Sequence, residues 1–89
     1  MEIVANRSVT LFPNPAKNYL NIEISNANNR RITEVLIINT KGSTWMKKSI
    51  ILGPGINTMG VDVSDLKFGI YFIVIKNGDE VIRERFSKQ

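Results

Sequence analysis

The chain has 89 residues, with 12 Lys and Arg against 8 Asp and Glu, a formal charge of +4, a pI near 9.7 and 43% hydrophobic residues. That composition suits one globular domain with a modest core, and it excludes a disordered chain. Cysteine and histidine are both absent, which excludes disulfides, thiolate nucleophiles, histidine acid–base catalysis and the usual zinc sites.

The N-terminal stretch MEIVANRSV lacks the basic start and the apolar core of a signal peptide. Residues 1–7 read as a linker or tail, and the domain runs from 8 to 89. Asn6-Arg7-Ser8 fits a glycosylation acceptor, but so short a pattern is common by chance and carries no weight. The next stretch, LFPNPAKNYL, holds a stiff corner. Pro13 and Pro15 each lack an N–H donor, and Asn14, preceding a proline, is pushed toward extended backbone. The corner ends a first strand and aims the second. In that second strand, from Tyr19 to Ile24, Leu20, Ile22 and Ile24 point to one face, and Tyr19, Asn21 and Glu23 to the other.

Asn26 to Arg30 reads as a polar loop. The strand from Ile32 to Asn39 contains Val35-Leu36-Ile37-Ile38, apolar on both faces, and is expected to be central and covered on both sides. Thr40-Lys41-Gly42 forms a tight turn, with Gly42 free to take a positive φ. Its hairpin partner is Thr44 to Leu52, stopped by Gly53-Pro54-Gly55. A weaker strand spans Ile56 to Val63, where Gly60 signals a bulge or a close approach. Ser64 to Lys67 is expected to make one helical turn, capped by Ser64 or Asp65. The clearest hairpin follows: Gly69 to Lys76 and Asp79 to Phe86 flank Asn77-Gly78, the preferred pair for a two-residue type I′ turn.

The pattern predicts an all-β fold of about seven strands, an antiparallel β-sandwich of immunoglobulin-like or jelly-roll-like type, with a small barrel as the alternative. No longer apolar run or internal repeat suggests a membrane segment or a second domain.

Candidate chemistry is sparse. Asp62 and Asp65 flank a turn, and capping explains them better than calcium, whose loops need more oxygen ligands at regular spacing. No serine or threonine has a base placed by any motif, so the chain is read as non-catalytic. No cofactor is implied. The basic pairs Arg30-Arg31, Lys47-Lys48 and Arg83 with Arg85 lie in separate segments with few aromatics nearby, which reads as solvated surface and not as a nucleic-acid face. Trp45 is the single tryptophan; a core position or a packing lid is preferred to a sugar platform, which normally uses two or three coplanar aromatics.

Three segments taken together carry more than any one of them: Leu11-Phe12-Pro13-Asn14-Pro15 running into Tyr19-Leu20-Asn21-Ile22; Val35-Leu36-Ile37-Ile38-Asn39-Thr40-Lys41-Gly42; and Val63-Ser64-Asp65-Leu66-Lys67-Phe68-Gly69-Ile70-Tyr71 with its hairpin and basic last strand. In this order and spacing, the chain from Val9 to Lys88 resembles the C-terminal sorting domain of type IX secretion (Por secretion) cargo proteins of Bacteroidota, type A. It departs from the family pattern in Phe12 for tyrosine, in Phe68 where proline or a small residue is common, and in the extra Gln89.

The resemblance implies a sorting signal that directs a fused N-terminal cargo from the periplasm across the outer membrane of a Gram-negative cell, to the surface or the medium. Its implied partners are the outer-membrane translocon with its shuttle components and a sortase-like cysteine peptidase; nucleic acid is not among them, and the domain itself has no integral membrane segment. This chain would then be the tail of a longer protein, with Met1 an added start. On that reading the recognition candidates are Gly69, Tyr71, Arg83, Arg85, Phe86 and Lys88. Pro13, Asn14, Pro15, Gly42, Asn77 and Gly78 are structural, and cleavage falls in or upstream of Ala5, Asn6, Arg7 and Ser8. The rival reading is a carbohydrate- or surface-binding sandwich appended to an enzyme.

Overall fold

In the computed structural model, which describes residues 8–26 and 31–89, seven strands run in chain order: β1 Val9–Phe12, β2 Tyr19–Asn26, β3 Arg31–Asn39, β4 Thr44–Leu52, β5 Gly55–Asp62, β6 Gly69–Asn77 and β7 Glu80–Lys88. They form two antiparallel sheets, β1-β2-β5 and β4-β3-β6-β7. This is the expected β-sandwich. Compared with the seven-stranded immunoglobulin constant arrangement, the fourth strand has moved to the sheet of the third, sixth and seventh.

The core follows from period-2 alternation. Leu20, Ile22 and Ile24 of β2 face Val35 and Ile37 of β3, Ile73 and Ile75 of β6 and Phe86 of β7, all essentially without solvent exposure. Each such side chain contributes about 1.5–3 kcal/mol by leaving water. β3 is central in its sheet as expected. It is not covered on both sides, however: Val35 and Ile37 are buried, but Leu36 and Ile38 on the outer face are only half-buried, and no second layer lies over them among the described residues.

Several local expectations need correction. The last hairpin turns at Gly78 and Asp79, since Asn77 pairs with Glu80. Gly78 has φ +60°, and no residue other than glycine has a positive φ among the described residues. A type I′ turn needs two such residues, so the geometry is that of II′, with glycine first. Asn77 is thereby drawn into the core, where its amide donates to the Thr33 hydroxyl at 3.1 Å.

The segment after β5 is a β-turn and not a helical turn: the Leu66 N–H donates to the Val63 carbonyl, and the capping carboxylate is Asp62 (not Ser64 or Asp65), which accepts from the Ser64 N–H at 2.9 Å and hydroxyl at 2.6 Å. These two bonds hold the Asp62 carboxyl below the usual carboxylate range.

Gly60 makes the close approach expected of it and no bulge. β2 and β5 pair without a break, and the Tyr19 ring lies where a Cβ on Gly60 would sit, 2.6 Å from Cε2. The bulge is instead in β4, where Trp45 is the extra residue between Thr44 and Met46. Asn26, expected to open a polar loop running to Arg30, is instead the last residue of β2 and is buried; residues 27–30 lie outside the described residues.

Candidate functional site

The region that brings most of the sequence-selected residues together is one end of the sandwich, where the proline corner, the start of β6 and the end of β7 meet. It is built first by Gly69, whose φ of +147° is backbone that residues with a Cβ rarely adopt. That conformation opens β6 beside the last strand, and Gly69 pairs with Lys88, Ile70 with Ser87 and Tyr71 with Phe86.

Tyr71 points inward. Its ring stacks on Phe86 at a centroid distance of 5.6 Å, and its hydroxyl donates to the Lys67 carbonyl at 2.7 Å. A tyrosine early in the sixth strand, bonded to backbone a few residues upstream, is the tyrosine corner of immunoglobulin-like sandwiches. It ties the turn between the sheets to the β6–β7 hairpin.

The proline corner supplies the other wall. The Phe12–Pro13 and Asn14–Pro15 peptides are cis, and the chain leaves β2's side at Phe12, whose carbonyl accepts from the Asn21 amide at 3.2 Å. It then crosses to the outer edge of β7. There the Asn14 side chain bonds twice along the β7 backbone: its amide donates to the Arg85 carbonyl at 3.3 Å, and its carbonyl accepts from the Ser87 N–H at 3.0 Å. The Ala16 N–H donates to the Ser87 carbonyl at 2.8 Å, and the Gln89 N–H to the Ala16 carbonyl at 2.7 Å, around a parallel bridge of Ala16 with Lys88. Two prolines offer no N–H on this segment, and the side chain of the residue between them supplies polar atoms in their place.

The last strand is therefore held on both sides from Arg85 to Lys88, and Gln89 beyond it is bonded to Ala16. The expected unpaired basic edge is reduced to the part of β7 before Arg85. Phe86 and Lys88 are also not exposed: Phe86 is 1% and Lys88 8% accessible, and the Lys88 ammonium donates to the Gln89 carbonyl at 3.1 Å. Arg83 and Arg85 do point outward and are exposed, with Arg83 resting 5.4 Å over the Phe72 ring.

The remaining candidates sit apart. Gly42, at φ +87°, serves the β3–β4 turn, which Asn39 organises by accepting from the N–H groups of Lys41 and Ser43. Ser8 is bonded to Ser25 at the far end of the sandwich. Ala5, Asn6 and Arg7 lie outside the described residues. Trp45 is not a core residue: it is 42% exposed and lines an open hollow of about 290 Å³ with Asn39, Asp65, Lys67 and Tyr71. The Tyr71 ring is committed to Phe86, so the hollow offers a single free aromatic.

Sequence reading missed the role of Ala16 and of the Asn14 side chain. The usable signal was the polar residue between two donors-less positions, next to a small residue able to let a strand come close. Comparison with known proteins decides the class: residues 10–89 match the family described as secretion system C-terminal sorting domain. The chain belongs to that family. The sorting domain is a non-catalytic signal for secretion, which implies export beyond the cytoplasm, a fused cargo and partners in a secretion machinery. No curated protein matches the chain.

Proposed function

We propose that this sorting domain serves type IX secretion in a Gram-negative member of the Bacteroidota, and that it is of type A. On this reading it carries a folded cargo from the periplasm through the outer-membrane translocon, with shuttle components as carriers. A sortase-like cysteine peptidase then removes it, in or upstream of Ala5 to Ser8, leaving the cargo at the cell surface or in the medium. Residues 1–7 act as the linker to the cargo and 8–89 as the signal.

The observation that carries the reading is the arrangement of the two ends. Ser8 enters beside Ser25, and Gln89 finishes beside Ala16, at the other end of the β-sandwich. A nine-residue strand such as β7 spans roughly 30 Å. A cargo joined at Ser8 thus leaves the Gly69–Tyr71 and Arg85–Gln89 end clear for a receptor. Recognition is assigned to that end: Arg83 and Arg85 steer an acidic partner, Gly69 and Tyr71 fix the geometry, and Phe86 and Lys88 act from within by holding β7 in place. Strand addition remains open to the edge of β7 before Arg85.

The test is a secreted reporter. A signal-peptide-bearing fluorescent protein fused ahead of Met1 is expressed in a Bacteroidota host, with and without a deletion of its translocon. Reporter in the medium only when the translocon is present supports the reading. Equal release in both strains, or a cut mapped by mass spectrometry inside Leu11 to Ile24, overturns it. Removal of Ser87 to Gln89 is a poor signal test, because it also strips the bonds to Asn14 and Ala16; Arg85→Glu leaves those backbone bonds intact.

A further inference from the structure

The outer face of the four-stranded sheet is apolar along its middle. Cross-strand pairing sets Leu36 beside Val74 and Ile38 beside Phe72, and Ile70 continues the same row one pair further along β6. Ile70 is 38% exposed, and Ile32 and Ile51, paired at the far end, are 75% and 57% exposed. Sheets of a sandwich normally turn polar side chains outward, so an aliphatic and aromatic stripe there has no role in the core. Along the row Val74 is buried and Leu36, Ile38 and Phe72 are half-buried, so the exposed apolar area lies at Ile70 on one side and at Ile32 and Ile51 on the other. Apolar surface grouped in this way on an outer face marks docking sites.

The stripe has a mainly basic border. Lys47 pairs across from Leu36, Lys76 from Glu34, Arg83 from Val74 and Arg85 from Phe72. Glu34 is the one carboxylate on these paired rows, and it is bonded to Lys47 at 3.3 Å. Among the described residues, Lys76, Arg83 and Arg85 have no carboxylate within ion-pair distance. Arg83 stacks on Phe72 and so links rim to stripe; arginine and aromatics are the side chains that interfaces favour. The proline corner widens the face, because the Asn14 side chain and an isolated bridge at Ala16 run along the edge of β7.

We propose that this outer sheet face, with Leu36, Ile38, Ile70 and Phe72 at its centre and Arg83 and Arg85 at its rim, is where the secretion machinery docks, and that the partner is a protein surface with an apolar centre and an acidic border. The charge pattern selects that partner: three unpaired cations ask for carboxylates opposite them, and the apolar stripe asks for aliphatic contact. The proposal rests on the sorting function and extends recognition from that end of the sandwich onto the sheet face that β7 borders.

The absence of cysteine makes the test direct. Single Ile38→Cys and Thr58→Cys variants of the reporter fusion are labelled with a membrane-impermeant maleimide in cells whose outer membrane has been permeabilised. Thr58 lies on the other sheet and is exposed. Position 38 is expected to be protected at least fivefold relative to the purified fusion, and position 58 to be unchanged. Alongside, Arg83→Glu/Arg85→Glu is expected to cut reporter release at least tenfold with its thermal midpoint kept, whereas Lys41→Glu/Lys67→Glu, with the same charge change in turns off the face, stays within twofold. Wild-type release with equal labelling at 38 and 58, or equal loss in both charge variants, overturns the docking face and leaves the sorting function standing. No release from wild type overturns the sorting function, and this proposal with it. A purified domain that elutes as a dimer, and as a monomer after Arg83→Glu/Arg85→Glu, assigns the face to a second copy and overturns the acidic partner.

Discussion

Asn14→Ala isolates the contribution of the proline corner to the last strand. The substitution removes two hydrogen bonds, to the Arg85 carbonyl at 3.3 Å and from the Ser87 N–H at 3.0 Å, and it leaves the backbone bonds of Ala16 in place. A net bond contributes about 1 kcal/mol, and an orphaned buried donor costs more. Asn14 is exposed, so water replaces part of what is lost, and the longer bond is the weaker. The sum is about 1–2 kcal/mol. For a domain of this size each kcal/mol lowers Tm by about 4–8 °C, so a fall of roughly 5–15 °C is expected in calorimetry. Amide exchange adds the location: the Ser87 and Gln89 amides should lose protection, while Ile73 in mid-β6 should follow only the global change. If Tm moves by less than about 1 °C and Ser87 stays protected, the clamp is not what holds β7, and the account of the corner fails.

Three further outcomes can be measured on the same domain. Tyr71→Phe keeps the stacking on Phe86 and deletes the bond to Lys67, so a loss of about 1 kcal/mol is expected by urea unfolding; no loss would mean that the tyrosine corner is decorative. Gly69→Ala meets nothing within 4 Å, so its cost is backbone strain alone, about 1–3 kcal/mol, and it should leave a native-like spectrum with a lower midpoint. Asp62 has its carboxyl pKa lowered by Ser64. A carboxylate lowered in the folded state adds stability above its unfolded pKa, and loses it as pH falls through the folded one. The acid limb of the stability curve should therefore flatten in Asp62→Asn, and a curve that does not change refutes the cap.

The alternation of Leu20, Ile22 and Ile24, the apolar runs of β3 and β6, and the spacing of Gly42, Gly53-Pro54-Gly55 and Gly78 were enough to read seven strands and a sandwich, because side-chain period and turn chemistry are local. The register of the last hairpin was not legible. Asn77-Gly78 and Gly78-Asp79 both suit a two-residue turn, and the choice was made by Thr33, 44 residues away, which offers Asn77 a buried partner. Pairing at Glu80 shifts β7 by two places and leaves Arg83 and Arg85 outward, so the faces survived although the turn did not.

The same division runs through the site. The sequence by itself determined that β7 is basic and alternating, that Gly69 and Tyr71 stand where β6 begins, and that two prolines must break the first strand. Only the tertiary structure decided where the broken strand goes. It crosses to β7 because Ala16 is small enough to come beside Lys88 and Asn14 carries the polar atoms that prolines lack. That crossing buries Lys88 and holds the end of β7 on both sides, and it leaves the outer sheet face, half-buried at Leu36, Ile38 and Phe72 and exposed at Ile70, Ile32 and Ile51, to meet a partner. Contacts between residues 14 and 87 depend on the whole sandwich having closed, and no local pattern in either segment encodes them.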